Sequence, residues 1–150
     1  MGNQARLVDD VTGLLSRGTR YGNGFALIAF DVDGPTAGED EVRAVAHVVQ
    51  EQARGADRCY RLGARVVSLL PEQGVGGASL AAERIRAAVA ESGVGTVSAG
   101  VGAYVPWEDE FAEDVIGRAG LMARQSALDG GDRVTVAETN HQHGLTDLGR

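Results

Sequence analysis

Residues 25–31 are almost continuously apolar, from Phe25 through Ala26, Leu27, Ile28 and Ala29 to Phe30. Such a run predicts a strand buried on both faces. A Gly/Pro/Thr loop at 34–38 ends it. Glu39, Asp40 and Glu41 then place negative charge where a helix N-terminus favours it. Val42, Val45, Ala46, Val49 and Ala53 follow at helical spacing, with polar residues between them. Segments 58–62 and 65–70 read as a hairpin turned at Gly63. Leu80, Ala81, Ile85, Ala88 and Val89 mark a second helix, with Gly93 as its stop. Residues 95–103 read as a strand whose interior Gly100 and Gly102 weaken. Phe111, Val115, Ala119 and Met122 mark a third helix, 132–136 a last short strand, and 9–17 a short first helix. The alternation of strands and helices predicts a layered α/β or α+β domain, with the strand order left open.

At 150 residues the chain fits one domain with a sizeable core. A hydrophobic content of 43% places it among folded proteins. The net charge of −7 argues against nonspecific nucleic-acid binding, which needs clustered cations against phosphates. It leaves room for a local arginine site. No apolar run reaches the ~20 residues that span a membrane, and the N-terminus has no apolar signal core. A single cysteine, Cys59, cannot form an internal disulfide, which suits a cytoplasmic location. Residues 137–150 are expected to form a flexible tail.

Short motifs add a more specific expectation. Tyr60-Arg61-Leu62-Gly63-Ala64-Arg65-Val66 opens an apolar strand that ends at Pro71. Asp9-Asp10-Val11-Thr12-Gly13-Leu14-Leu15-Ser16-Arg17 is similar to D-x-L-T-G-L-x-N-R. The strand from Phe25 ends in Asp31-Val32-Asp33, and Thr96-Val97-Ser98-Ala99-Gly100-Val101 is similar to T-V-S-x-G-V. Gly130-Gly131-Asp132-Arg133-Val134 stands where G-R-N-R-V is expected. In this order, over residues 9–136, the set resembles the GGDEF domain of diguanylate cyclases, which join two GTP into cyclic di-GMP. Residues 1–8 are then an N-terminal extension. The resemblance implies a central sheet of about five strands, mixed or mostly antiparallel, flanked by helices.

The resemblance also shows what differs. The signature turn, here Gly63, Ala64 and Arg65, is one position short, and no carboxylate stands between Gly63 and Pro71. Phosphoryl transfer needs oxygen ligands for its metal ions. Asp31 matches one of the family's metal ligands and is read as vestigial. A cation at Arg65 repels Mg²⁺. Residues 33–41 lack the family's guanine-reading segment, Ala127 replaces a phosphate-binding lysine, and Gly131 replaces the first arginine of G-R-N-R-V. A catalytically inactive homologue with no metal cofactor is expected, Mg²⁺ mattering only for residual activity. Gly130-Gly131-Asp132 spells part of the signature far from the hairpin and reads as a helix-ending turn.

One candidate functional element remains. Arg54-Gly55-Ala56-Asp57 matches R-x-x-D, and Asp57 lies six positions before Gly63. The family's inhibitory site for cyclic di-GMP has this motif at this distance. An arginine fork can hold phosphate or a guanine edge, and a carboxylate can accept from guanine N–H groups. Arg58 and Arg61 are expected to add positive potential. The competing reading is a solvated helix end. The leading expectation is a noncatalytic regulatory module that binds cyclic di-GMP, with a protein partner or a second copy. Two alternatives stay open: a nucleotide-independent interaction domain, and an enzyme with a repurposed pocket on Asp31 and Asp33. His47 reads as a surface residue and Ser98 as structural, without a nucleophile elbow. Trp107 reads either as a cover for the core edge or as an exposed partner contact, His141 and His143 as a weak candidate metal pair, and Gly74–Gly77 as a loop without the Lys-Ser/Thr of a phosphate cradle.

Overall fold

A computed structural model of the chain describes residues 1–21, 24–35, 37–104 and 111–137. Its elements run α1 (Gln4–Tyr21), β1 (Phe25–Val32), α2 (Glu39–Glu51), β2 (Arg58–Leu62), β3 (Arg65–Leu70), α3 (Val75–Ser92), β4 (Val97–Tyr104), α4 (Ala112–Leu128) and β5 (Arg133–Val136). The sheet order is β2-β3-β1-β4-β5. Only the β4–β5 pair is parallel; β1 pairs antiparallel with β3 and β4, and β2 with β3. This is the mixed five-stranded sheet that the resemblance implied.

The continuous apolar run of β1 is explained by its place at the centre of the sheet, covered on both faces. Ala26, Ile28 and Phe30 pack with Val45 and Val49 of α2 and Ala82 and Ile85 of α3. Phe25, Leu27 and Ala29 pack on the other face with Leu7, Val11 and Leu14 of α1 and Val115 and Ala119 of α4. The period-2 alternation of a strand thus feeds two cores. Gly100 and Gly102 do more than weaken β4. A Cβ on Gly102 would lie 3.0 Å from the backbone nitrogen of Ala119, and one on Gly100 would overlap the backbone of α4. These glycines let α4 lie directly on the sheet.

Boundaries follow local chemistry. Gly63 turns the hairpin with φ of 65°, and Gly93 ends α3 with φ of 80°. Gly130, Gly131 and Asp132 all have positive φ and turn the chain from α4 into β5, as expected for a helix-ending turn. α1 is longer than the expected 9–17. Asn3 Oδ1 accepts the Arg6 N–H at 3.0 Å, capping a helix that starts at Gln4. Residues 1–8 therefore join the fold, and Gly2 bridges the edge of β2 at Tyr60. Gly74–Gly77 is also not a loop throughout: Gly74 is the N-cap, and α3 begins at Val75.

Candidate functional site

Charged side chains gather at two opposite ends of the sheet. At the hairpin-turn end, Asp31 of β1 stands directly across from Arg65 of β3. Arg65 donates from Nε to Asp31 Oδ1 at 2.6 Å and from Nη2 to Oδ2 at 2.9 Å. It also reaches the Gly120 carbonyl of α4 at 3.4 Å. This fork-on-fork pair is partly sheltered, with side chains 34% and 28% exposed. The hydrogen bonds to Asp31 raise the Arg65 pKa. Both Asp31 oxygens thus face a guanidinium. Among the described residues no group of three His, Cys, Asp or Glu side chains could hold a metal ion.

Arg61 belongs to this same end. It donates to both oxygens of Glu39, the first residue of α2, at 2.7 and 2.6 Å, and to the Gly63 carbonyl at 2.9 Å. The Arg61 hydrogen bond lowers the Glu39 pKa. Asp33, the second acid of the D-x-D, is a structural tie. Its carboxylate accepts from Thr96 Oγ1 at 2.7 Å, Ser98 Oγ at 2.5 Å and the Asp132 N–H at 2.9 Å. It joins the end of β1 to β4 and to the turn before β5. Ser98 is fully buried and serves this tie, as its structural reading expected.

The Arg54–Asp57 motif lies at the other end, in the turn from α2 to β2. The Asp57 N–H donates to the Arg54 carbonyl at 2.9 Å, and Asp57 Oδ2 accepts the Arg54 N–H at 3.2 Å. Gly55 supplies a positive φ of 54° within the turn. Asp57 therefore fixes its own loop, while the Arg54 side chain is exposed and makes no hydrogen bond or ion pair with the described residues.

A third charged group lies nearby. Arg84 of α3 donates to the Gln52 carbonyl and to Gln52 Oε1, both at 2.9 Å. Burial lowers its pKa, the Arg54 charge lowers it further, and Asp57 opposes them. Arg54, Asp57 and Arg84 thus share one electrostatic neighbourhood. Thirty residues separate Arg54 from Arg84, and nothing in the local pattern of α3 marks Arg84 out.

Of the two arginines expected to support Arg54, Arg61 lies at the far end of the sheet, whereas Arg58 directly follows the turn. Arg61 is bound at the hairpin-turn end. Arg58 turns toward α1, where Nη1 stands 3.6 Å from Asp10 Oδ2. Strand geometry carries Arg61 away, because three residues along β2 move it about 10 Å from the turn. Asp10 also accepts from the Tyr60 hydroxyl at 2.6 Å, and burial raises that tyrosine's pKa. His47 is exposed, 3.6 Å from Glu51. Trp107, His141 and His143 lie outside the described residues. No helix of the described chain is long and apolar enough to cross a membrane.

No protein-family model matches the sequence, and no curated protein matches it. Solved structures do. The active GGEEF domain of a diguanylate cyclase from Vibrio cholerae is 21% identical, with a TM-score of 0.79 over 92% of this chain and 98% of its own. The GGDEF domain of DgcB from Caulobacter crescentus, in complex with c-di-GMP, is 24% identical, with a TM-score of 0.79 over 91% and 89%. The FimX GGDEF domain from Pseudomonas aeruginosa is 18% identical, with a TM-score of 0.79 over 90% and 93%. With its element order and five-stranded mixed sheet, the chain has the fold of a GGDEF domain.

Proposed function

We propose that this chain is a noncatalytic regulatory module that binds cyclic di-GMP at the Arg54–Asp57 turn. The observation that carries this reading is the contrast between an exposed, unengaged Arg54 beside Asp57 and Arg84, and an Asp31 held on both oxygens by Arg65. Cyclase chemistry needs divalent cations at carboxylates. A metal at Asp31 would have to displace a bidentate guanidinium, and Arg65 would repel it. Mg²⁺ therefore does not fit this end. Arg54 and Arg84 supply positive potential for a phosphodiester or a guanine edge, and Asp57 supplies an acceptor for guanine N–H groups. The similar DgcB domain was solved in complex with c-di-GMP, which supports the choice of ligand.

Isothermal calorimetry of the purified chain tests both halves. Cyclic di-GMP is expected to give saturable heat that Arg54→Ala abolishes, while GTP with Mg²⁺ gives neither binding heat nor turnover. Metal-dependent turnover of GTP lost in Asp31→Ala would overturn the noncatalytic half. Absence of cyclic di-GMP binding would overturn the receptor half and favour a nucleotide-independent interaction domain. A similar domain offers a precedent for protein partners: diguanylate cyclase SiaD from Pseudomonas aeruginosa was solved with its activator SiaC.

A further inference from the structure

α4 carries a stripe on the side away from the sheet that nothing in the chain covers. Its buried residues, among them Val115, Ala119 and Ala123, pack into the core. At helical periodicity, Asp114, Gly117, Leu121 and Arg124 fall on the opposite side of the helix, and all four are exposed. Leu121 is 64% exposed, and Leu128, one heptad further, 72%. Spacings of three, four and three residues put the four positions in one row, as the a and d positions of a helix pair are placed. A helix that only covered a sheet would keep large apolar residues off this side.

Gly117 adds an independent observation. Glycine inside a helix costs stability relative to alanine. Gly117 does not have a positive φ, and a Cβ built on it would meet nothing within 4 Å. Gly120 of the same helix differs, because a Cβ there would overlap the Arg65 guanidinium. Gly120 thus serves the chain's own packing, whereas Gly117 leaves a recess open to a second backbone approaching from outside. The charges of the stripe are available as well. Arg124 makes no hydrogen bond or ion pair with the described residues. Asp114 Oδ2 accepts the Phe111 N–H at 3.0 Å, and its other oxygen has no partner among the described residues.

We infer that this face of α4 docks on α4 of a second copy of this chain, the two helices antiparallel. In an antiparallel pair each a position meets a d position of the other helix. Read along the chain, the stripe is Asp114, Gly117, Leu121 and Arg124. A two-fold axis between Gly117 and Leu121 sets Leu121 over the partner's Gly117 and Arg124 against the partner's Asp114, and each contact occurs twice. The row is therefore self-complementary: acid meets base, and the large side chain meets the recess. The charge pairs are exposed, so they fix register and orientation more than they add affinity. A register shifted by one heptad would set Leu128 on the partner's Gly117 but leave Arg124 facing the partner's Leu121, without its acid. A parallel pair would set Arg124 and Asp114 each against its own kind. None of the four residues belongs to the Arg54–Asp57 turn or to the Asp31–Arg65 pair, so the inference stands apart from the ligand proposed above.

Sedimentation velocity of the full-length chain, without nucleotide, tests this. One helix face is smaller than the about 800 Å² per partner of a standard interface, so the series runs up to about 1 mM. The sedimentation coefficient should rise with concentration from monomer toward dimer. Leu121→Glu should abolish the rise. Gly117→Gln should abolish it too while raising the urea midpoint, because it fills the recess with a better helix former. A glycine of purely structural importance would lose stability instead. Arg124→Glu and Asp114→Lys should each weaken association at least about tenfold, since each sets like charges together twice. An equimolar mixture of the two should restore it, because each copy then brings the charge its partner lacks. A monomer at every concentration would overturn the inference, as would a dimer indifferent to Leu121→Glu or Gly117→Gln. Failure of the mixture to restore association, with both variants folded by circular dichroism, would overturn the antiparallel pairing. No nucleotide takes part, so failure here is distinct from failure of cyclic di-GMP binding.

Discussion

At the hairpin-turn end of the sheet, Asp31 and Glu39 are each gripped by an arginine on both oxygens. At the opposite end, Arg54 extends into solvent while Asp57 holds only the backbone of its own turn. The same residue types thus serve different purposes. Paired charges tie strands and helices to one another, and an unpaired guanidinium on a fixed loop leaves its hydrogen-bonding capacity for a ligand. Substitutions at the first end should register in stability, and those at the second in binding.

The largest stability effect is expected at Asp33. Asp33→Ala removes the acceptor for Thr96, for the buried Ser98 hydroxyl and for the Asp132 N–H. Leaving such groups unsatisfied should cost about 2–3 kcal/mol, read as a lower urea midpoint with unchanged slope. A loss no larger than that of a surface substitution would show that Asp33 is not the tie between β1, β4 and the β5 turn. Arg65→Ala comes next. It leaves Asp31 partly sheltered without its counter-ion, and the effect should fall between exposed and buried pairs, about 1–2 kcal/mol. The same variant sharpens the contrast in another way. If Arg65 alone excludes cations, Mn²⁺ should stabilise Arg65→Ala against heat and leave the parent chain unmoved.

A pH series separates Glu39 from these. Its folded pKa lies below the ordinary value of 4.5 because Arg61 hydrogen-bonds to the carboxylate. A depressed folded pKa means that the pair contributes stability above the unfolded value and loses it as pH falls through the folded one. Glu39→Gln should therefore be slightly less stable than the parent at neutral pH, and the two should converge in strong acid. The pair is exposed and the difference small. A gap that persists in acid would assign the effect to packing rather than charge.

Much of the fold was legible because periodicity and glycine placement report local physics. β1, the hairpin at Gly63, the end of α3 at Gly93 and the Gly130–Asp132 turn all follow from adjacent residues. The start of α1 was obscured because the recognisable motif begins at Asp9, although Leu7 continues the buried face toward the N-terminus. The purpose of Gly100 and Gly102 emerges only when α4 is laid on β4. The candidate site was legible only in its local part. Arg54 and Asp57 are three residues apart and share a turn, whereas Arg65 meets Asp31 across 34 positions and Arg61 meets Glu39 across 22. Charge partners at such separations are decided by strand register and helix placement, so Arg61 could be counted as free and Arg84 overlooked.

The smallest expected change in stability belongs to Arg54, and it is the most telling. Arg54→Ala removes an exposed side chain and keeps both backbone groups of the turn, including the N–H that Asp57 accepts. Stability should stay within about 0.5 kcal/mol of the parent. Affinity for cyclic di-GMP should fall at least about tenfold, since a lost charged hydrogen bond is worth about 1.5–3 kcal/mol. Arg84→Ala provides the control within the same neighbourhood. It should weaken binding less, because Arg84 is already engaged by Gln52, and should disturb stability more, because the Gln52 carbonyl at the end of α2 loses its donor. If the two variants instead lost affinity and stability in the same proportion, the turn would be a helix end held by charge. The division between a tying end and a binding end would then collapse.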